Sequence, residues 1–270
     1  MTQEYRKEID ERLATFLTRF TDADLQSYLA TRSRLPGPRA NLELAAAFAA
    51  SVGDQKKEWK AMWALASRLT AIPPEEAPTN DPREFVVFCG TRAIGALGVP
   101  SAARAREALV HLRTLARDPR WRVREGVAIA IQDIAEGQPA AAVRELEDWM
   151  APGAWLEMRA VAAGLAEPRI LKDAKIARAA LETHERILKR LAAAKERESA
   201  GFRSLRQCLS YSLSVVVVAA PEGGFRLLTR FASSSDPDVV WIIKENLKKG
   251  RLAGAFAGRV ERLQATMRRG

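Results

Sequence analysis

The stretches "DPREFVVFCGTRAIGAL" (Asp81–Leu97) and "DPRWRVREGVAIAIQDI" (Asp118–Ile134) open alike and start 37 residues apart. Aspartate at a helix N-cap accepts hydrogen bonds from free first-turn amides. Proline suits the first helical position, where its missing N–H costs nothing. In the second stretch Val123, Val127, Ile131 and Ile134 then recur along one helical face. Asp81-Pro82 and Asp118-Pro119 therefore read as helix starts, and Asp236-Pro237 reads as a third.

Looser copies extend the series in both directions. "APGAWLEMRAVAAGLAEP" begins at Ala151, "GFRSLRQCLSYSLSVVVVAAP" at Gly201 and "SDPDVVWIIKENLKKGRL" at Ser235, with a weaker copy, "LPGPRANLELAAAFAASV", from Leu35. Second apolar-periodic segments lie between them, such as "SAARAREALVHLRTLAR" from Ser101 and "PAAAVRELEDWM" from Pro139. Two helices in roughly 35 residues describe an all-α chain of HEAT or armadillo type. The expected architecture is a right-handed α-α superhelix: one curved domain over residues 1–270, opened by a helix at 3–20 and built on repeats starting near 35, 81, 118, 151, 201 and 235. Residues 172–199 read as a longer helix with Ile176, Ala180, Ile187, Leu188 and Leu191 inward. Val215–Val218 has strand propensity, but its place in the repeat predicts a buried helix.

Composition narrows the function classes. The 43 Lys and Arg against 33 Asp and Glu give a formal charge of +10, which suits phosphate or other acidic partners. That charge is uneven: residues 1–30 carry −2 and residues 241–270 carry +6. Cys89 and Cys208 sit in apolar patterns and read as buried free thiols of a cytoplasmic protein. The opening "MTQEYRKEIDER" is too charged for a signal peptide, and "VVVVAAP" from Val215 is too short to cross a bilayer. There is no Walker A loop, dinucleotide-binding glycine motif, HExxH or nucleophile elbow, and His111 and His184 have no clustered cysteines. No metal and no cofactor is expected.

Recognition of an anionic surface is what remains. Arg117, Arg120, Arg122 and Arg124 surround Trp121 at a helix N-terminus, where the dipole disfavours cations and favours an anion. Two readings fit. The arginines contact phosphates with Trp121 stacking on a sugar or base, or they pair with acids such as Asp118 or Glu145 while Trp121 fills an inter-repeat gap. Lys244, Lys248 and Arg251 share a second face at i, i+4 and i+7, opposite Val239, Ile243 and Leu247. Gly250 there suits a C′ position, and Glu245 with Lys249 makes an i,i+4 pair. Trp155 and Tyr211 hold comparable places in later repeats, with Arg159, Arg203 and Arg206 extending an aromatic-and-arginine stripe.

The ordered pieces "NDPREFVVFCGTRAI", "RWRVREGV", "AWLEMRAVAAGL" and "LRQCLSYSLSVVVVAAP" resemble the HEAT-like DNA glycosylases that excise alkylated purines, the AlkD-type DNA alkylation repair family, over Pro36 to Arg251. The resemblance implies a basic concave cleft for double-stranded DNA, lined by tryptophans. It also implies a carboxylate that stabilises the cationic sugar and an arginine that completes the site. The family's aspartate falls on Glu125 and its arginine on Ser214. Glutamate adds a methylene, and a carboxylate displaced by about an ångström can lose a hundredfold in rate. The expectation is a DNA-binding relative without strong glycosylase activity. An active alkylpurine glycosylase and a scaffold that holds a protein or peptide in its groove are the alternatives.

Overall fold

The computed structural model describes residues 2–269, and within them the chain is helical without a strand. Its internal packing falls into two compact units, Met1–Glu145 and Leu146–Gly270. The first holds α1 (Thr2–Arg19), α2 (Ala23–Thr31), α3 (Leu42–Asp54), α4 (Trp59–Thr70), α5 (Pro82–Gly98), α6 (Ala102–Leu115) and α7 (Trp121–Gly137). Helix α8 (Pro139–Glu147) runs through the boundary. The second holds α9 (Trp155–Leu165), α10 (Ala174–Ala192), α11 (Ala200–Ala219), α12 (Pro221–Ala232), α13 (Pro237–Leu247), α14 (Gly250–Ala255) and α15 (Ala257–Arg269).

In the first unit α1, α3, α5 and α7 pack in succession, and α4 and α6 lie against α5. Helix α5 is the hub, and its glycines make that possible. A methyl group on Gly95 would sit 2.7 Å from the Cα of Ala130 in α7, and one on Gly90 would sit 2.8 Å from Leu69 Cβ in α4. Glycine inside a helix costs about 1 kcal/mol relative to alanine. Here the backbone approach it permits lets Phe85, Phe88 and Ile94 bury fully in the core.

The Asp-Pro starts behave in two ways. Asp81 caps α5 by accepting from the Arg83 amide, and Asp236 caps α13 by accepting from the Val239 amide. Asp118 does not cap a helix. Helix α7 begins at Trp121 with Arg120 at the N-cap position, because the Asp118 carboxylate is occupied by the Arg120 amide at 2.8 Å and by the Arg120 guanidinium. Serines, an asparagine and another aspartate do the same capping work elsewhere: Asn41, Ser101, Asp173 and Ser199 each accept from an amide in the first turn of their helix.

In the second unit α9, α11 and α13 pack in succession, with α10 and α12 against α11. Val216 and Val217 are buried within α11, so the valine run is helical as its repeat position predicts. Ile176, Ala180, Ile187, Leu188 and Leu191 face inward from α10. His184 is buried beside them. The Ala180 carbonyl can only accept, so Nδ1 donates to it at 2.8 Å and Nε2 accepts from the Ser212 hydroxyl at 3.1 Å. Burial holds its pKa down to about 4, against the partial lift from Ala180. Asn246 fixes α13 on α11: its amide nitrogen donates to the Leu209 carbonyl at 2.8 Å, and its oxygen accepts from the Ser214 amide at 2.7 Å. This bridge sets the register of α13, and with it the positions of Trp241, Lys244 and Lys248. No helix among the described residues is long and apolar enough to cross a membrane.

Candidate nucleic-acid interface

Burial separates the arginines around Trp121. Arg120 is only 2% exposed: Nε and Nη2 clasp Asp118 at 2.8 and 2.6 Å, and Nη1 donates to the carbonyls of Ile72 and Ala77. Arg122, 5% exposed, bonds Glu84 at 2.9 Å, the Gly37 carbonyl at 2.7 Å and the Asn80 side chain at 3.2 Å. Arg124 donates to the carbonyls of Asp118 and Pro119. Placing Arg120 and Arg122 on a phosphate surface is therefore corrected. Their N–H groups knit three loop segments to α5, and turning outward would strand the fully buried Glu84 carboxylate. Pairing with Asp118 was legible as an alternative, but Glu84 as a partner was not. Trp121 itself is 44% exposed, with the Arg122 guanidinium 4.4 Å from its ring centre, so it does not fill an inter-repeat gap. Glu125 is half-buried in the same helix.

The stripe expected through Trp155, Arg159, Arg203 and Arg206 does not assemble as a surface. Trp155 stands edge-on to the core residue Phe202 at 5.5 Å, and Arg159 is 7% exposed. Arg203 is exposed and pairs with Glu198, while Tyr211 is exposed. Ser214, where the family resemblance calls for an arginine, is fully buried, and its hydroxyl donates to the Tyr211 carbonyl. Arg206 goes elsewhere: it meets Asp238 at 2.7 Å and lies 3.7 Å over the ring of Trp241. Arg197 anchors this arrangement by bonding Asp236 and Asp238 together. Burial pushes the Asp236 carboxyl up, but hydrogen bonds from Arg197 and the Val239 amide outweigh it and hold it below its usual range.

Lys244, Lys248 and Arg251 do not share a continuous face. Helix α13 ends at Leu247, and α14 starts at Gly250, which is its first residue and not a C′ cap. Lys244 and Lys248 stay on one groove, while Arg251 turns into another beside Lys172 and Glu167. Glu245 pairs with Lys248 at 2.5 Å, not with Lys249. The buried stripe of Val239, Ile243 and Leu247 stands as predicted.

Two grooves with basic walls flank α15. The second unit carries 22 Lys and Arg against 14 Asp and Glu, a net of +8 that leaves +2 for the first. One flank of α15 forms a groove of about 480 Å³ with α13, lined by Trp241, Lys244, Glu245, Lys248, Met267 and Arg268. The other flank forms a groove with α12 whose cations are Arg226, Arg230, Arg259 and Arg262. Arg230 and Arg259 are tied to Glu185 and Glu222. Lys244, Arg226, Arg262 and Arg268 make no ion pair among the described residues. Trp241, Arg226, Arg262 and Arg268 escape a reading of sequence spacing, because what joins them is the packing of α15 against α12 and α13.

No family model matches the chain, and no curated protein does. Two solved structures of engineered proteins are similar to it. One is 16% identical over 95% of this chain and 97% of that chain with a TM-score of 0.38, and the other is 15% identical over 83% and 67% with a TM-score of 0.28. Likenesses of that order bear on neither fold nor function.

Proposed function

We propose that this protein binds nucleic acid through its phosphate backbone, using the basic grooves on either side of α15, and that each unit is a stack of HEAT-like helix pairs serving as a rigid mount. The observation that carries the reading is four cations, Lys244, Arg268, Arg226 and Arg262, that have no carboxylate partner among the described residues and lie on grooves of a unit with a net charge of +8. Lysine and arginine side chains that neutralise phosphates release condensed counterions, so affinity falls linearly with salt on a logarithmic scale. The successive packing of α9, α11 and α13, pinned by Asn246, supports a preorganised platform.

Base excision has less support. Arg120 and Arg122 are committed to Asp118 and Glu84, and the position where the glycosylase resemblance calls for an arginine is the buried Ser214. The test is oligonucleotide binding across a salt series. Replacing Lys244, Lys248 and Arg268 together by alanine should flatten the log–log slope by about 2 for a single strand. Replacing Lys56, Lys57 and Lys60 should leave it unchanged. Equal slopes in all three proteins would overturn the proposal. Methylated duplex DNA enters as a further arm and should be returned without free alkylated base.

A further inference from the structure

Trp241 is the aromatic side chain on the α13–α15 groove, and the way it is held bears on which form of nucleic acid fits. Its indole is half-buried, and the Arg206 guanidinium lies 3.7 Å over the ring. Arg206 is fixed by Asp238 at 2.7 Å, and Asp238 is fixed in turn by Arg197 at 2.8 Å. A cation stacked on an indole is held by the ring's quadrupole, so ring and guanidinium fix each other's orientation. Trp241 lines the groove, whereas Arg206 does not. Lys244, Lys248 and Arg268 line the same groove, with Glu245 drawn onto Lys248. At about 480 Å³ the groove has the size of a small-ligand cleft.

Building on the phosphate-binding reading above, we infer that this groove takes an unpaired nucleotide of a single strand: the base stacks on Trp241 and the flanking phosphates meet Lys244, Lys248 and Arg268. A base inside a duplex already has both faces stacked and cannot reach a fixed indole without leaving the helix. An unpaired base has a free face, and aromatic stacking of this kind tolerates any sequence. The groove thus combines the two elements of single-strand recognition, a stacking platform and a cationic rim.

The experiment compares three probes of equal length at one low salt concentration: oligothymidylate, a base-free deoxyribose-phosphate strand and a duplex. The wild-type protein should prefer oligothymidylate to the base-free strand by on the order of tenfold. Trp241→Ala should erase that preference while leaving affinity for the base-free strand as it was, and Trp241→Phe should restore part of it. Equal wild-type affinity for oligothymidylate and the base-free strand overturns the inference and leaves phosphate binding standing. So does tighter binding of the duplex. The wild-type comparison needs no variant, so a Trp241→Ala protein that fails to fold does not block it. Failure to bind any of the three probes overturns both readings.

Discussion

Arg122 shows how a side chain that looks functional in sequence becomes structural in three dimensions. Its guanidinium bonds Glu84, Asn80 and Gly37, joining a residue of α7 to the N-terminus of α5 and to the loop before α3. Glu84 is fully buried, so removing one member leaves the other charged and desolvated. Glu84→Ala should lower stability by about 3–5 kcal/mol, read from urea denaturation. A loss below about 1 kcal/mol would mean that Arg122 is hydrated and available to an external anion. Sequence spacing shows that arginines cluster around Trp121. It does not show which N–H groups are already satisfied, because the partners lie 38 to 85 positions away.

Element by element, what was legible follows from local chemistry. Asp81 and Asp236 cap their helices because side chain and amide are neighbours in the chain. Asp118 fails to cap because a competing local partner, Arg120, takes its carboxylate. The break between α13 and α14 was not legible, since the pattern of Lys244, Lys248 and Arg251 continues smoothly through it. Helices α2 and α4 fall between the quoted repeats and were not anticipated. The glycines of α5 carry a message that periodicity alone does not deliver. A Cβ at Gly95 meets the backbone of α7 at 2.7 Å, and backbone cannot rotate aside as a side chain can. Gly95→Ala should therefore destabilise by about 1–3 kcal/mol, even though alanine is the better helix former. Thermal unfolding would show a lowered midpoint, and a raised one would mean that α5 and α7 separate without cost.

Across the whole molecule, the charge imbalance was visible in the sequence, where residues 241–270 carry +6, but the site it builds was not. Lys244 and Lys248 were singled out, whereas Trp241, Arg262 and Arg268 gain meaning only once α15 folds back against α12 and α13. On the proposal made above, nucleic acid lies on the second unit along α15 and not at the arginine cluster of α7. Lysine-directed chemical footprinting tests this most directly: reductive methylation with and without saturating oligothymidylate, read residue by residue by mass spectrometry. Lys244 and Lys248 should become protected, while the exposed Lys7, Lys56, Lys57 and Lys60 of the first unit should react as they do in the free protein. Protection centred on the first unit, with Lys244 and Lys248 unchanged, would contradict it.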